Sequence, residues 1–260
     1  MKYTKRYETR SYDLDRFDGL MPTALIQYLQ ETADHQIHDT DKDYGLIVTE
    51  DRKAFVVSRM SVEVYRPIYK YAQLECDTWV TEGKAANYPR MYELKLDGEV
   101  VARAASNWAL VDVDTKKLVL QGEYDLSSYP VDAEPELRIP KRFRIPKDAE
   151  LTECRRMPVT YSLTDINGHM NNARYYNCLV DNLPEASDYF ITSMNVRFVH
   201  EAPLGSELII RRSELMEPGK MDPNADAVVY FRTEVNRRSA DGTEVLGEEN
   251  IQAAFGLKRR

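Results

Sequence analysis

The chain has 260 residues, 43% apolar and 10% aromatic, with a formal charge of −8 at neutral pH. That apolar share can fill cores and excludes a disordered chain, while the negative balance argues against general nucleic-acid binding, which draws on basic surface. The three cysteines have neither the spacing of a disulfide framework nor that of a zinc site, and they predict a reducing, cytoplasmic setting. The polar start, "MKYTKRYETRSYDLD", has no apolar core of a signal peptide, and no apolar run approaches the roughly 20 residues of a membrane span.

In chain order, the first predicted element is a helix in "DRFDGLMPTALIQYLQETADHQ". Leu25, Leu29 and Ala33 recur at helical spacing, with Ile26 and Tyr28 beside them. The acidic stretch "HDTDKDYGLIVTEDRKAF" lengthens the path to the next strand, and its "YGLIV" centre is a candidate pocket cover. Strands are predicted in "FVVSRMSVEVYRPI" and "AQLECDTWVTEG". A hairpin follows in "YPRMYELKLDGEVVARAASNWALVD", turning at Asp97-Gly98, a favoured turn pair. The many tyrosines favour this strand-rich reading. The segment "SSYPVDAEPELRIPKRFRIPKDAE", with Pro130, Pro135, Pro140 and Pro146, reads as an extended connector, because proline fixes φ and removes a backbone donor.

The order then repeats. A polar turn leads into a helix with Tyr175, Leu179 and Leu183 at helical spacing, followed by "FITSMNVRFVHEAPLG", "SELIIRRSELME" and a hairpin turning at Asp241-Gly242. Setting Val62 on Val196 also sets Met60 on Met194, Val64 on Phe198 and Leu74 on Leu208. One helix and several antiparallel strands, twice over, predict an α+β double hotdog, each helix wrapped by a curved sheet. The expected boundaries are an N-terminal domain over 1–128, a Pro-rich connector over 129–150 and a C-terminal domain over 151–260.

The densest run of hydrogen-bonding side chains is "TDINGHMNNAR", Thr164 to Arg174, immediately before the second helix. Read from the residues alone, Asp165, Asn167 and Asn171 could do no more than cap the helix and shape the turn. A D-x-N-x-H-x-N-N pattern before a helix, together with "VVSRMSVEVYRPIYKYAQLECDTWV", "ARAASNWALVDVDTKKL" and the acidic residue of "VRFVHEAP", resembles the acyl-acyl carrier protein thioesterases, bacterial relatives of the plant enzymes that end fatty acid extension. The resemblance spans nearly the whole chain. It implies hydrolysis of the thioester between a fatty acyl chain and the phosphopantetheine arm of acyl carrier protein (ACP), with no cofactor and no metal. It also implies a site of Asp165, Asn167, His169 and Glu201, with the N-terminal domain shaping the acyl pocket. The plant relatives carry a cysteine after the glutamate; Ala202 stands there in this chain, which puts a thiol nucleophile at that place in doubt.

The chemistry agrees with that implication. Thioester hydrolysis needs an activated water, donors for the oxyanion and a proton for the departing thiolate. A carboxylate can activate water, and amides, an imidazole or first-turn helix N–H groups can donate to an oxyanion. Asp165 is expected to orient Asn167 or a neighbouring amide, and Asn167 and His169 to hold the thioester carbonyl or the water. Glu201 is the preferred base, with its division of labour with His169 open. Setting Gly19 on Gly168 places Leu20 where the second half has His169, so one active site per chain is expected, in the second half.

Other features read as structural. His35, His38 and Asp39 suit surface or packing roles better than metal binding, Trp79 and Trp108 suit the core, and Cys76 and Cys178 read as buried thiols. "KRFR", the terminal "KRR", Arg155 and Arg156 could steer acidic ACP, or serve solubility alone. Rival functions are an acyl-CoA thioesterase, a non-catalytic lipid- or carrier-binding module and a hotdog dehydratase. Chain-length preference and assembly are open, a homodimer among the options.

Overall fold

Runs of buried residues mark the central strands of the first half, and one two-residue turn joins two of them. In the computed structural model, which describes residues 2–40, 44–126, 131, 137, 143–219, 222–239 and 241–260, the chain divides into two units, Met1–Ile139 and Pro140–Arg260. Pro130, Pro135 and Pro140 of the expected connector, Lys141 and Arg142 of the basic cluster, and residues 41–43 of the acidic stretch lie outside the described residues.

In the first unit, strand β1 (Tyr3–Glu8) is followed by a 3-10 turn (Ser11–Asp13), helix α1 (Pro22–His38) and the short helix α2 (Tyr44–Thr49). Strands β2 (Lys53–Val64), β3 (Gln73–Val80), β4 (Tyr88–Leu96), β5 (Glu99–Asp112) and β6 (Leu118–Val119) complete it. The antiparallel order is β1-β3-β4-β5-β2, with β6 paired to β5. Helix α1 begins at Pro22, whose missing N–H costs nothing in a first turn. Its Leu25, Ile26, Leu29 and Ala33 are buried, and it packs on β1 and β3. The β4–β5 hairpin closes through Asp97 and Gly98, both left-handed (φ 53° and 80°), as a two-residue turn between twisted strands requires. Residues 44–49 of the acidic stretch are helical, with Ile47 fully buried.

The second unit repeats that plan. Strand β7 (Thr152–Pro158), a 3-10 turn (Tyr161–Leu163) and helix α3 (Asn172–Val180) precede β8 (Tyr189–Phe198), β9 (Glu207–Arg212), β10 (Ala227–Arg238) and β11 (Glu244–Arg259). The antiparallel order is β7-β9-β10-β11-β8, the first unit's order strand for strand. Each unit is an α+β hotdog. Val62 and Val196, Met60 and Met194, and Leu74 and Leu208 are all buried at the paired positions. Tyr176 of α3 stacks on Phe255, 6.2 Å between centroids, and Phe255 meets Phe231 edge-on at 5.6 Å; buried side chains of this size contribute roughly 1.5–3 kcal/mol each. The tail of the connector and the residue after it cover the sheet, with Phe143, Ile145, Ala149 and Leu151 packed on Val228, Tyr230 and Ala254.

Three local expectations need correction. The spacing extended the second helix to Leu183, but α3 stops at Val180; Leu183 precedes Pro184, a position from which helical geometry is sterically disfavoured. Glu201 was expected from a strand, yet it lies beyond the end of β8 at Phe198. The matching turns align one residue away from the glycine alignment: Asp18 (φ 60°) takes the left-handed place of Gly168 (φ 75°), so Gly19, not Leu20, occupies the His169 place. Asp tolerates that conformation, and glycine was therefore a poor marker of the register.

Candidate active site

The site is a short hairpin pinned against a second segment. Gly168 N donates to the Asp165 carbonyl (3.0 Å) and Asp165 N to the His169 carbonyl (3.0 Å), with Thr164 and Met170 bridged across the base. Asp165 shapes the turn as well, its Oδ1 accepting from Asn167 N at 2.9 Å. The hairpin then pairs with the chain after β8: Met170 N donates to the Ala202 carbonyl (2.8 Å) and Leu204 N to the Gly168 carbonyl (3.0 Å). His169 consequently lies antiparallel to Pro203. That pairing brings together side chains 32 positions apart in sequence, and His169 Nδ1 lies in direct contact with Glu201 Oε2. The His169 side chain is 35% exposed and that of Glu201 55% exposed, so both can reach a ligand from solvent.

Of the four expected site residues, the structure brings His169 and Glu201 into contact and ties Asp165 to the backbone of Asn167. The Asn167 side chain is exposed at the tip of the hairpin, four residues before the N-cap. The helix itself is capped by Asn171, whose Oδ1 accepts from Ala173 N at 2.9 Å. Asn171 thus caps the helix and Asp165 shapes the turn.

The surroundings of Glu201 are charged. Arg237 makes hydrogen bonds of 2.8 and 3.2 Å to Glu248, which hold the Glu248 carboxyl below its ordinary range against the opposing effect of desolvation. His200 Nδ1 lies 2.8 Å from the Glu249 carbonyl. Beneath, Tyr175 is buried, which raises its phenol pKa. Sequence reasoning missed Asn250, fully buried and hydrogen-bonded to Tyr175. Its one signal is an amide immediately before the buried apolar stretch of β11 that begins at Ile251.

The first unit has the same turn without the pair. Asp15 N donates to the Gly19 carbonyl (2.7 Å), Asp18 N to Asp15 (3.1 Å) and Leu20 N to Ile68 (2.7 Å), and Gly19 bridges Tyr69. The places of His169 and Glu201 hold Gly19 and Pro67. Elsewhere, His35 pairs with Glu31 at 3.0 Å, Trp79 is buried, and Trp108 is partly buried. Arg156 is paired with Glu153 and Glu207, and Arg155 with Asp181. Among the described residues no cluster of ligand types suits a metal ion, and no helix is long and apolar enough to cross a membrane.

Two family models match the chain: the acyl-ACP thioesterase N-terminal domain over residues 1–123 and the acyl-ACP thioesterase C-terminal domain over residues 147–246. The chain belongs to the acyl-ACP thioesterase family. A chloroplastic oleoyl-acyl carrier protein thioesterase of Arabidopsis thaliana is 26% identical over 205 residues, covering 70% of this chain and 54% of its own length. A chloroplastic palmitoyl-acyl carrier protein thioesterase of Gossypium hirsutum is 23% identical over 263 residues, covering 94% of this chain and 62% of its own length. The chain thus spans between about half and two thirds of these relatives. The fold matches that of an acyl-ACP thioesterase from Bacteroides thetaiotaomicron, with a TM-score of 0.76 at 22% identity over 98% of this chain and 97% of that one. It also matches the 12:0-ACP thioesterase of Umbellularia californica, with a TM-score of 0.77 at 17% identity over 100% and 98%. Both acyl-ACP thioesterase domains and the double hotdog of this family are therefore present in the one chain.

Proposed function

We propose that this family member hydrolyses fatty acyl-ACP to free fatty acid and ACP, through His169 and Glu201. The contact between His169 Nδ1 and Glu201 carries the reading. A carboxylate on Nδ1 fixes the imidazole's orientation and tautomer and leaves Nε2 as the nitrogen that exchanges a proton with substrate. Nε2 takes a proton from the attacking water as its oxygen bonds to the thioester carbon. The tetrahedral intermediate then collapses, the carbon–sulfur bond breaks, and Nε2 returns the proton to the departing pantetheine thiolate. This division supports giving the base role to His169, with Glu201 stabilising the imidazolium, where the sequence favoured Glu201 as base. Asp165 and Asn167 form the turn that presents the imidazole, and the exposed Asn167 amide is a donor for the developing oxyanion. The partner is ACP bearing a phosphopantetheine-linked acyl chain, and the three free cysteines support a reducing, cytoplasmic setting.

The experiment is a product profile: acyl-ACPs of graded chain length, each beside the acyl-CoA of the same chain, with released acids identified. Preferential release from ACP is expected. Equal or faster release from CoA would transfer the reading to an acyl-CoA thioesterase, and bound but unreleased acyl chains to a binding module.

A further inference from the structure

The two units share a fold but fill one matching buried junction with different chemistry. In the second unit Asn250 is fully buried, as is Thr233, and Tyr175 is 2% exposed. The Asn250 amide is fully employed. Its Oδ1 accepts from Thr233 Oγ1 (2.7 Å), and its Nδ2 donates to Tyr175 Oη (3.0 Å) and to the carbonyl of His200. Its own backbone carbonyl receives Val199 N (2.9 Å) and His200 N (3.2 Å).

The first unit supplies an internal control. Tyr65 N donates to the Val101 carbonyl at 2.9 Å, as Val199 N does to Asn250, so Val101 is the counterpart of Asn250. Leu94 pairs with Ala102 as Thr233 pairs with Ile251, which makes Leu94 the counterpart of Thr233. Leu25 stands in α1 where Tyr175 stands in α3. All three first-unit residues are buried. The fold thus closes this junction with an apolar trio, and an apolar trio avoids the desolvation cost of burying an amide and two hydroxyls. The first unit also lacks the ionisable pair, with Gly19 and Pro67 in the places of His169 and Glu201. The polar trio accompanies the pair, and the fold alone does not account for it.

We propose that Asn250 is a positioning residue that sets Glu201 against His169. Its amide holds the His200 carbonyl, which lies in the same peptide plane as Glu201 N and fixes the direction in which the Glu201 side chain leaves the backbone. Through Tyr175 it ties that plane to α3, the helix that follows the His169 hairpin. Neither Asn250 nor Tyr175 touches the reacting atoms.

This inference rests on the proposed use of His169 and Glu201, but its test separates the two. The variant Tyr175→Leu/Thr233→Leu/Asn250→Val installs the first unit's apolar trio, and Asn250→Asp replaces only the two donors. The readouts are kcat and KM on acyl-ACP and, without substrate, the ¹⁵N–¹H spectrum of the His169 ring, which reports its contact with Glu201. The triple variant is expected to unfold at or above the wild-type temperature, with kcat lower by about tenfold or more, KM within about twofold, and a His169 ring signal moved toward that of Glu201→Gln. Asn250→Asp should show the same kcat loss and ring shift. A folded triple variant with wild-type kcat and ring signal overturns the proposal. So does a triple variant that fails to fold while Asn250→Asp retains both, since the amide would then serve the scaffold. A wild type that does not hydrolyse acyl-ACP defeats the functional reading, while the ring signal still decides the role of Asn250.

Discussion

Replacing His169 or Glu201 by glutamine should separate activity from stability. The two side chains are 35% and 55% exposed and in direct contact; even a fully charged exposed pair contributes at most about 1 kcal/mol to folding. Each single variant should therefore unfold within about 1 kcal/mol of the wild type. Loss of a positioned acid–base group costs about a hundredfold or more in rate, equivalent to about 2.7 kcal/mol of transition-state stabilisation. Because one contact joins the two groups, their effects should not multiply. His169→Gln/Glu201→Gln is expected within about threefold of the worse single variant rather than near the ten-thousandfold loss of independent groups. The assay is kcat/KM on one acyl-ACP for all four proteins, with thermal unfolding in parallel. Near-wild-type rates in both folded single variants would refute the site. A fully multiplied loss in the double variant would refute the pair and leave two independent residues.

Three further outcomes follow from buried or strained positions. Burial raises the Cys178 thiol, and that of Cys76 to about 12, so at pH 7.5 Cys178→Ser should keep turnover and quenched single-turnover samples should hold no cysteine-linked acyl adduct; an adduct formed and consumed at the turnover rate would sink direct water attack. Burial alone would raise Asp13, but hydrogen bonds from Arg10 and Tyr28 hold its folded-state pKa below the ordinary value of about 3.9. Its contribution is thus complete above that value and lost as pH falls through the folded-state value, and Asp13→Asn should flatten the dependence of unfolding free energy on pH between about 2 and 5. Gly168 has φ 75° and nothing within 4 Å of an added Cβ, so Gly168→Ala should cost only the left-handed strain of about 1–2 kcal/mol, read by denaturant unfolding.

The parts legible in the sequence are those whose signal is local. The spacing of Leu25, Leu29 and Ala33 announced α1, and Asp97-Gly98 announced a hairpin. The matched pairs Met60/Met194 and Val62/Val196 announced the repeat. The edge strand β7 left no such mark: Thr152–Pro158 is exposed at all but one position, with no alternation to read. The offset between the matching turns was misread because an aspartate fills in one unit the left-handed place that a glycine fills in the other. At the site, the crowd of polar residues around His169 stood out, and the family resemblance supplied Glu201. The pairing of Met170 with Ala202 and of Gly168 with Leu204, which joins the two residues, is made of backbone hydrogen bonds that no side chain encodes. Asn250 was hidden for a similar reason, since its meaning lies in Tyr175, Thr233 and the His200 carbonyl, all distant in sequence.

The same internal comparison narrows the role of Asp165. Asp15 keeps that place in a turn where Gly19 and Pro67 replace His169 and Glu201, and its Oδ1 accepts from Phe17 N at 2.8 Å, as that of Asp165 accepts from Asn167 N at 2.9 Å. An aspartate retained where no reaction is expected is explained by the turn itself, because a short side-chain acceptor two residues before an N–H closes it. Asparagine offers the same acceptor without the charge. Asp165→Asn should therefore keep the hairpin and lose less than about threefold in kcat, while Asp165→Ala, with no acceptor, should lose about tenfold or more as the imidazole drifts from its place. Measured on one acyl-ACP at one pH, with unfolding temperatures alongside, equal large losses in both variants would show that the carboxylate charge itself takes part, and would move Asp165 from the turn into the chemistry.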